Sequence, residues 1–251
     1  MKARARSGLG AAALTKPGWR IVSALLKDER VLARIMHQLS NRLAAEASFD
    51  EAMPQELQTI GGFEDCYWLF SSNPLNHGLS RLEHDEAAYL FRLVKNLGTP
   101  ESVEIGRFRG GSTFLLAAAG AQVLSIDIDG ARFESDGPAL VNALDRVGLR
   151  DRAQLVVADS RTYPVESSSI DLLFVDGDHS YDGVRTDFEH WWPALRPRGH
   201  LLLHDAEEFA DTDPRRAISA GVTRLARQLV DRHDARRHQA TGTLAHFSKL
   251  S

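Results

Sequence analysis

Five short apolar segments, most of them closing on a polar or acidic turn and separated by stretches of helical periodicity, set the strongest limit on what this chain can fold into. They are Ser102–Ile105, leading into Gly106–Gly111; Val123–Ile126, ending at Asp127; Ala153–Val157, ending at Ala158-Asp159-Ser160; Ile170–Val175, closing on Asp176; and His200–Leu203, terminating at His204-Asp205. Helices are expected over Leu82–Leu97, Ser112–Ala119, Asp136–Val147, Tyr181–Trp192 and Arg215–Val230, and a late hairpin over His233–His238 and Thr243–Ser248 around Gly242. Apolar strands alternating with amphipathic helices require a mostly parallel sheet covered on both faces. Right-handed crossovers then align the residues that follow each strand along one edge. The expectation is an α/β fold in which Glu104 to Gly111, Asp127, Asp159, Asp176 and His204-Asp205 converge.

The first of these turns, VEIGRFRGG over Val103–Gly111, is built to let a ligand approach the backbone. Gly106 and Gly110 permit close approach or a positive φ, and the following helix offers free amides. The spacing is not the strict dinucleotide fingerprint, and a plain strand-to-helix turn would use the same glycines. Asp127, about twenty residues on, stands where an acid accepts hydrogen bonds from ribose hydroxyls, with Asp129 as its competitor. Asp159 and Ser160 are placed to meet a base edge.

The densest stretch is Ile170–Asp182, IDLLFVDGDHSYD. Asp176 and Asp205 become close if their strands are neighbours, and clustered carboxylates repel unless a cation or proton lies between them. Mg²⁺ is the natural candidate, whereas His204 as a nitrogen ligand would favour Mn²⁺, Fe²⁺ or Zn²⁺. His204 can equally point into the sheet packing. His179 has the titration range of a general base. Asp187 and His190 are assigned to the solvated side of their helix. His37, His77, His84, His200, His233, His238 and His246 are scattered, with no motif linking them.

A net charge of −4 gives no general reason to expect nucleic-acid binding. The single cysteine, Cys66, excludes an internal disulfide framework and reads as a packed thiol. No segment is long and apolar enough for a membrane span or signal peptide, so a cytoplasmic protein is expected. The first 27 residues carry basic side chains without an acid. Trp19–Ala47 has an apolar helical side that needs cover, either from the main domain or from a second subunit in a homodimer. Ser48–Asn76, with its aromatic residues, reads as an ordered loop that covers a pocket or joins the core.

Taken together, VEIGRFRGGS, SIDID, Asp159-Ser160, FVDGDHSYDGVRTDF and GHLLLHDA resemble S-adenosylmethionine-dependent methyltransferases of the Rossmann-like class. More narrowly, they resemble the metal-dependent small-molecule O-methyltransferases of macrolide-sugar and cephalosporin biosynthesis. The resemblance implies a seven-stranded sheet with an antiparallel last strand. It also implies an N-terminal helical extension over 1–80 and a cofactor-binding domain over 81–251. It assigns Glu104, Gly106 and Gly110 to the cofactor loop, Asp127 to the ribose, and Asp159 and Ser160 to the adenine. Asp176 and Asp205 become Mg²⁺ ligands, with Asp178, Glu207 or His204 as a third, and His179 the base near the methyl group. The implied reaction is methyl transfer to a hydroxyl of a small molecule such as a sugar or polyketide. Alternatives are a metal-independent N-methyltransferase and a non-catalytic S-adenosylmethionine-binding regulatory protein. Arg107 and Arg109 are expected to pair with an acid or to meet an anionic part of the substrate.

Overall fold

The computed structural model describes residues 48–70, 78–206 and 216–251, without the side chains of 216–218. The expected helix Trp19–Ala47 and the candidate ligand Glu207 lie outside the described residues. One sheet of seven strands has the order β3-β2-β1-β4-β5-β7-β6. Its strands are β1 Glu101–Ile105, β2 Gln122–Asp127, β3 Ala153–Val157, β4 Ile170–Val175, β5 Leu195–Leu203, β6 Ala235–His238 and β7 Ala245–Lys249. β1 to β5 pair in parallel, while β7 lies antiparallel between β5 and β6. The described helices are α1 Phe49–Ala52, α2 His84–Leu97, α3 Gly111–Ala119, α4 Gly130–Arg146, α5 Tyr181–Trp191 and α6 Arg216–Val230. No helix among the described residues is long and apolar enough to cross a membrane.

The α/β class and the antiparallel closing strand agree with the sequence. In the centre, Leu172, Leu173, Phe174 and Val175 are all buried, as a strand covered on both faces must be. Leu172 and Phe174 join a core with Phe114, Leu116, Leu140 and Leu202. Leu173 and Val175 face the opposite core, among Val184, Phe188, Val222 and Leu225. The helix α3 is buried along its whole length, which explains its apolar, alanine-rich sequence.

Two expectations need correction. The helix α4 begins six residues before Asp136, because Asp129 caps it by accepting from Arg132 N at 3.0 Å, and it continues through Pro138. β5 starts at Leu195 rather than His200; Arg198 takes a left-handed φ of 69° inside it. Of the two readings of Ser48–Asn76, the described part takes the one that joins the core. Phe49 and Trp68 pack on Phe114 at 5.9 and 5.1 Å between ring centroids, and Phe63 packs on Phe91 at 5.7 Å. Cys66 is buried beside them, and burial, then Asp65 and Glu64, push its thiol up to about 12.

Candidate functional site

Strand order reverses direction between β1 and β4, and a crevice must open where the chains leave these two strands in opposite directions. The two exits touch. Asp176 N donates to Ile105 O at 2.8 Å, and a Cβ on Gly106, whose φ is +88°, would lie 2.2 Å from Asp176 O. Only glycine fits there. Asp127 supports the turn from the β2 side: its Oδ2 accepts from Arg107 N at 2.8 Å and Phe108 N at 2.9 Å, and its Oδ1 from Asp129 N at 2.8 Å. Above these residues lies a cavity of about 700 Å³, within the range of small-molecule sites.

All the expected site residues except Glu104 and Gly110 line this cavity. Gly110 forms the left-handed N-cap of α3 at φ 95°, packed against Leu140. Glu104 is fully buried below the glycine turn, where its Oε2 accepts from Thr113 Oγ1 and, at 2.6 Å, from Ser125 Oγ. Burial pushes its carboxyl up to about 7, although the hydroxyls of Ser112, Ser125 and Thr113 and the charge of Arg107 act the other way. Its hydrogen-bond partners thus lie on α3 and β2, below the cavity.

At the other end, His179 bridges two carboxylates. Its Nε2 lies 3.2 Å from Asp176 Oδ1 and its Nδ1 3.4 Å from Asp205 Oδ2. Burial works against a charged ring, but the hydrogen bond and charge of Asp176, then Asp205, hold His179 above its ordinary value. Asp205 itself adopts φ 54°, a left-handed conformation that aspartate tolerates better than most residues. Donor atoms of Asp176, His179 and Asp205 lie within 4.8 Å of one another. Two carboxylates and one imidazole form a donor set suited to a divalent cation.

His204, considered above as a cation ligand or a packing residue, lies beside this cluster. Its Nδ1 lies 2.9 Å from Asp176 Oδ1 and its Nε2 3.2 Å from Glu86 Oε2, so both nitrogens point at carboxylates. Burial opposes charge, yet Asp176 and Glu86 raise the ring well above its ordinary value. Glu86, 1% exposed, was not expected here. Its Oε2 also accepts from Glu83 N at 2.9 Å, and its Oε1 accepts from Thr243 N at 2.6 Å and Thr243 Oγ1 at 2.8 Å. One carboxylate thus joins the start of α2, the turn before β7 and the end of β5. Against the cost of burial, His204, Thr243 and Glu83 hold Glu86 down at about 2. Glu86 is the third residue of α2, where its side chain reaches back to the N-cap amide of Glu83; with Glu83 in place of Ser or Thr at the cap, the sequence carries no capping-box signature for it.

On the β3 side, Asp159 is tied to Arg161 by contacts of 2.8 and 2.9 Å, and Ser160 Oγ donates to Asp187 Oδ1 at 2.6 Å. Asp187 is 2% exposed and lines the cavity, so its assignment to a solvated face is corrected. His190, on the same helix, is half-buried with Nε2 2.8 Å from Tyr163 O. Arg107 donates to Ser125 O and Val156 O at 3.0 and 3.1 Å, and Arg109 pairs with Asp136 at 3.6 Å. Neither reaches the cavity, where Arg81 and Arg132 flank the Phe108 ring at 4.5 and 4.6 Å.

Residues 103–206, which carry this whole set of strand ends, match the profile of a family described as a methyltransferase domain. Over 99 residues the chain is 29% identical to caffeoyl-CoA O-methyltransferase 1 of Eucalyptus globulus, covering 38% of this chain and 40% of that protein. A stretch of 43 residues is 56% identical to an uncharacterized protein of Sinorhizobium fredii, covering 17% of this chain and 5% of that one. The chain therefore spans less than half the length of these relatives. Among solved structures, the fold is shared with an S-adenosylhomocysteine-bound methyltransferase from Podospora anserina. The TM-score is 0.55 at 13% identity, covering 100% of this chain and 99% of that one. A methyltransferase from Geobacter sulfurreducens aligns with a TM-score of 0.51 at 19% identity, over 84% of this chain and 96% of that one.

Proposed function

We propose that the chain transfers a methyl group from S-adenosylmethionine to a hydroxyl of a small molecule. The observation that carries this reading is the division of the cavity. One end presents Asp127, Ser160 and the glycine turn, and the other presents Asp176, His179 and Asp205. The similarity to a protein named as a caffeoyl-CoA O-methyltransferase favours oxygen as the acceptor atom.

Asp127, held by the amides of the turn, suits a ribose, and the Ser160–Asp187 pair borders the space for a base. S-adenosylmethionine, when bound, supplies a methyl group on a positively charged sulfur. Asp176 and Asp205 would hold Mg²⁺ or a similar cation, with His179 as the third donor or as the base. Such a cation, when bound, draws charge from the acceptor oxygen and lowers its pKa. As the base, His179 receives the acceptor's proton, while Asp176 and Asp205 orient its ring. Two neighbouring acceptor oxygens, as in a vicinal diol or a hydroxy-carbonyl group of a sugar or polyketide, match the paired carboxylates.

The test is calorimetric titration of chelator-stripped protein with S-adenosylhomocysteine, followed by transfer of labelled methyl to a panel of vicinal diols with and without Mg²⁺. Asp127→Asn should weaken binding about tenfold or more, since a charge-assisted hydrogen bond contributes roughly 1.5–3 kcal/mol. Asp205→Asn should keep binding and lose Mg²⁺-stimulated transfer. Folded wild-type protein that binds no S-adenosylhomocysteine would overturn the proposal; binding without transfer to any hydroxyl would favour a regulatory role.

A further inference from the structure

The histidines that look unrelated in the sequence meet on the far part of the sheet. In the strand register, His246 of β7 stands opposite His238 of β6 and Leu202 of β5, while His200 of β5 stands opposite Ser248. Residues two apart share a face. His200, His238 and His246 are thus neighbours on one side of three strands. Ring centroids are 4.5 Å apart for His238 and His246, 5.0 Å for His200 and His246, and 6.0 Å for His200 and His238. One ring nitrogen from each falls within 4.8 Å of the other two. None of the three lines the candidate-site cavity.

We propose that His200, His238 and His246 form a binding site for a divalent transition cation of the Zn²⁺ type, held by three imidazole nitrogens with a fourth position open to water. Three nitrogens with an open position form a recurring zinc arrangement. The absence of any carboxylate from the trio disfavours Mg²⁺ and Ca²⁺, which take oxygen ligands. The rings are also oriented from behind. His246 Nδ1 lies 2.6 Å from Tyr89 Oη, and His238 Nε2 lies 2.8 Å from Ser248 Oγ. Such outer hydrogen bonds fix ring orientation at metal sites. His246 Nε2 and His200 Nδ1 face each other at 2.8 Å; two nitrogens each about 2.0–2.1 Å from one tetrahedral zinc stand about 3.4 Å apart, so this pair opens by roughly half an ångström to take the ion. His246 is buried, while His200 and His238 are half-buried, which leaves an approach from solvent.

Charge agrees with this geometry. Burial, then His200 and His238, push His246 down to about 3; burial, then His238, lower His200; and burial, then Arg236, lower His238. Neutral imidazoles are the form that binds metal. A bound cation would tie β5, whose end carries Asp205, to the β6–β7 hairpin.

The experiment counts Zn²⁺ by equilibrium dialysis and elemental analysis at neutral pH, on full-length protein freed of any histidine tag. The background variant Asp176→Asn/Asp205→Asn removes the carboxylates of the cavity cluster. It should retain one equivalent of Zn²⁺, which is lost when His238→Ala is added. Tyr89→Phe in the same background should weaken binding by about tenfold through loss of ring orientation. Because His238 is half-buried on the outermost strand, its replacement should leave the fold intact by circular dichroism. Should His238→Ala unfold the protein, His200→Gln in the same background must lose the Zn²⁺. A folded background variant that binds no Zn²⁺, or one that keeps its equivalent after either histidine is replaced, overturns the site.

Discussion

Replacing Glu86 by glutamine keeps the volume and removes one charge from the Glu86–His204–Asp176 chain. The glutamine oxygen can still accept from Thr243. Its NH₂ group, however, faces two donors, Glu83 N and His204 Nε2, which lie 2.9 and 3.2 Å from the native oxygen. The magnitude follows from linkage. Glu86 falls from 4.5 to about 2 on folding, and at 1.36 kcal/mol per pKa unit this amounts to about 3 kcal/mol at neutral pH. That agrees with the 3–5 kcal/mol typical of breaking a buried pair from one side. Because the folded value is depressed, the contribution is complete above about 4.5 and is lost as pH falls towards about 2. The gap between wild type and Glu86→Gln should therefore shrink to about 2 kcal/mol by pH 3.5. Urea unfolding followed by tryptophan fluorescence at pH 7.5, 5.5 and 3.5 measures it. A gap below about 1 kcal/mol, or one unchanged across this range, would refute the reasoning.

Other substitutions probe the remaining parts of the site. Gly106→Ala places a methyl group 2.2 Å from Asp176 O at a φ of +88°; it should lower the melting temperature and weaken S-adenosylhomocysteine binding more than tenfold, as calorimetry would report. Glu104 rises from 4.5 to about 7 on folding, so wild type loses stability as pH climbs through this interval. Glu104→Gln should match wild type near pH 4.5 and exceed it by up to about 3 kcal/mol at pH 8.5, and chemical denaturation at the two pH values decides this. Burial raises Asp187 despite its bond from Ser160; Asp187→Asn, which can still accept that bond, should raise the melting temperature at pH 7 but not at pH 3. Equal effects at both pH values would remove burial of charge as the cause.

The sheet was legible because its central strands are continuous apolar runs, and the antiparallel hairpin was found despite the charged first arm of β6. The start of β5 was hidden because Arg196, Pro197, Arg198 and Gly199 interrupt the apolar pattern, although the backbone continues through them. Gly137-Pro138 similarly concealed the first turns of α4, whose capping acid lies well upstream. Convergence of Asp127, Asp159, Asp176 and Asp205 could be read because strand ends in such a sheet share an edge. Contacts set by tertiary packing could not. Asp187 reads as a polar helix position until Ser160, 27 residues earlier, is placed against it. The role of His204 likewise depended on Glu86, 118 residues away. The meeting of His200, His238 and His246 depends on β7 lying between β5 and β6, a placement that no local pattern expresses.

That placement also dictates an order of assembly. Among the described strands, β7 is the last in the chain, yet it is the one that joins β6 to the sheet. Until it arrives, β5 presents an open edge beside the apolar residues Leu201, Leu202 and Leu203, and β6 has no strand to pair with. An unpaired apolar edge invites pairing with other chains. The nascent protein is therefore most exposed to aggregation in the interval between completion of β5 and arrival of β7. The helix α6, which contacts β6 and is made within that interval, is the element in position to shield the unfinished side.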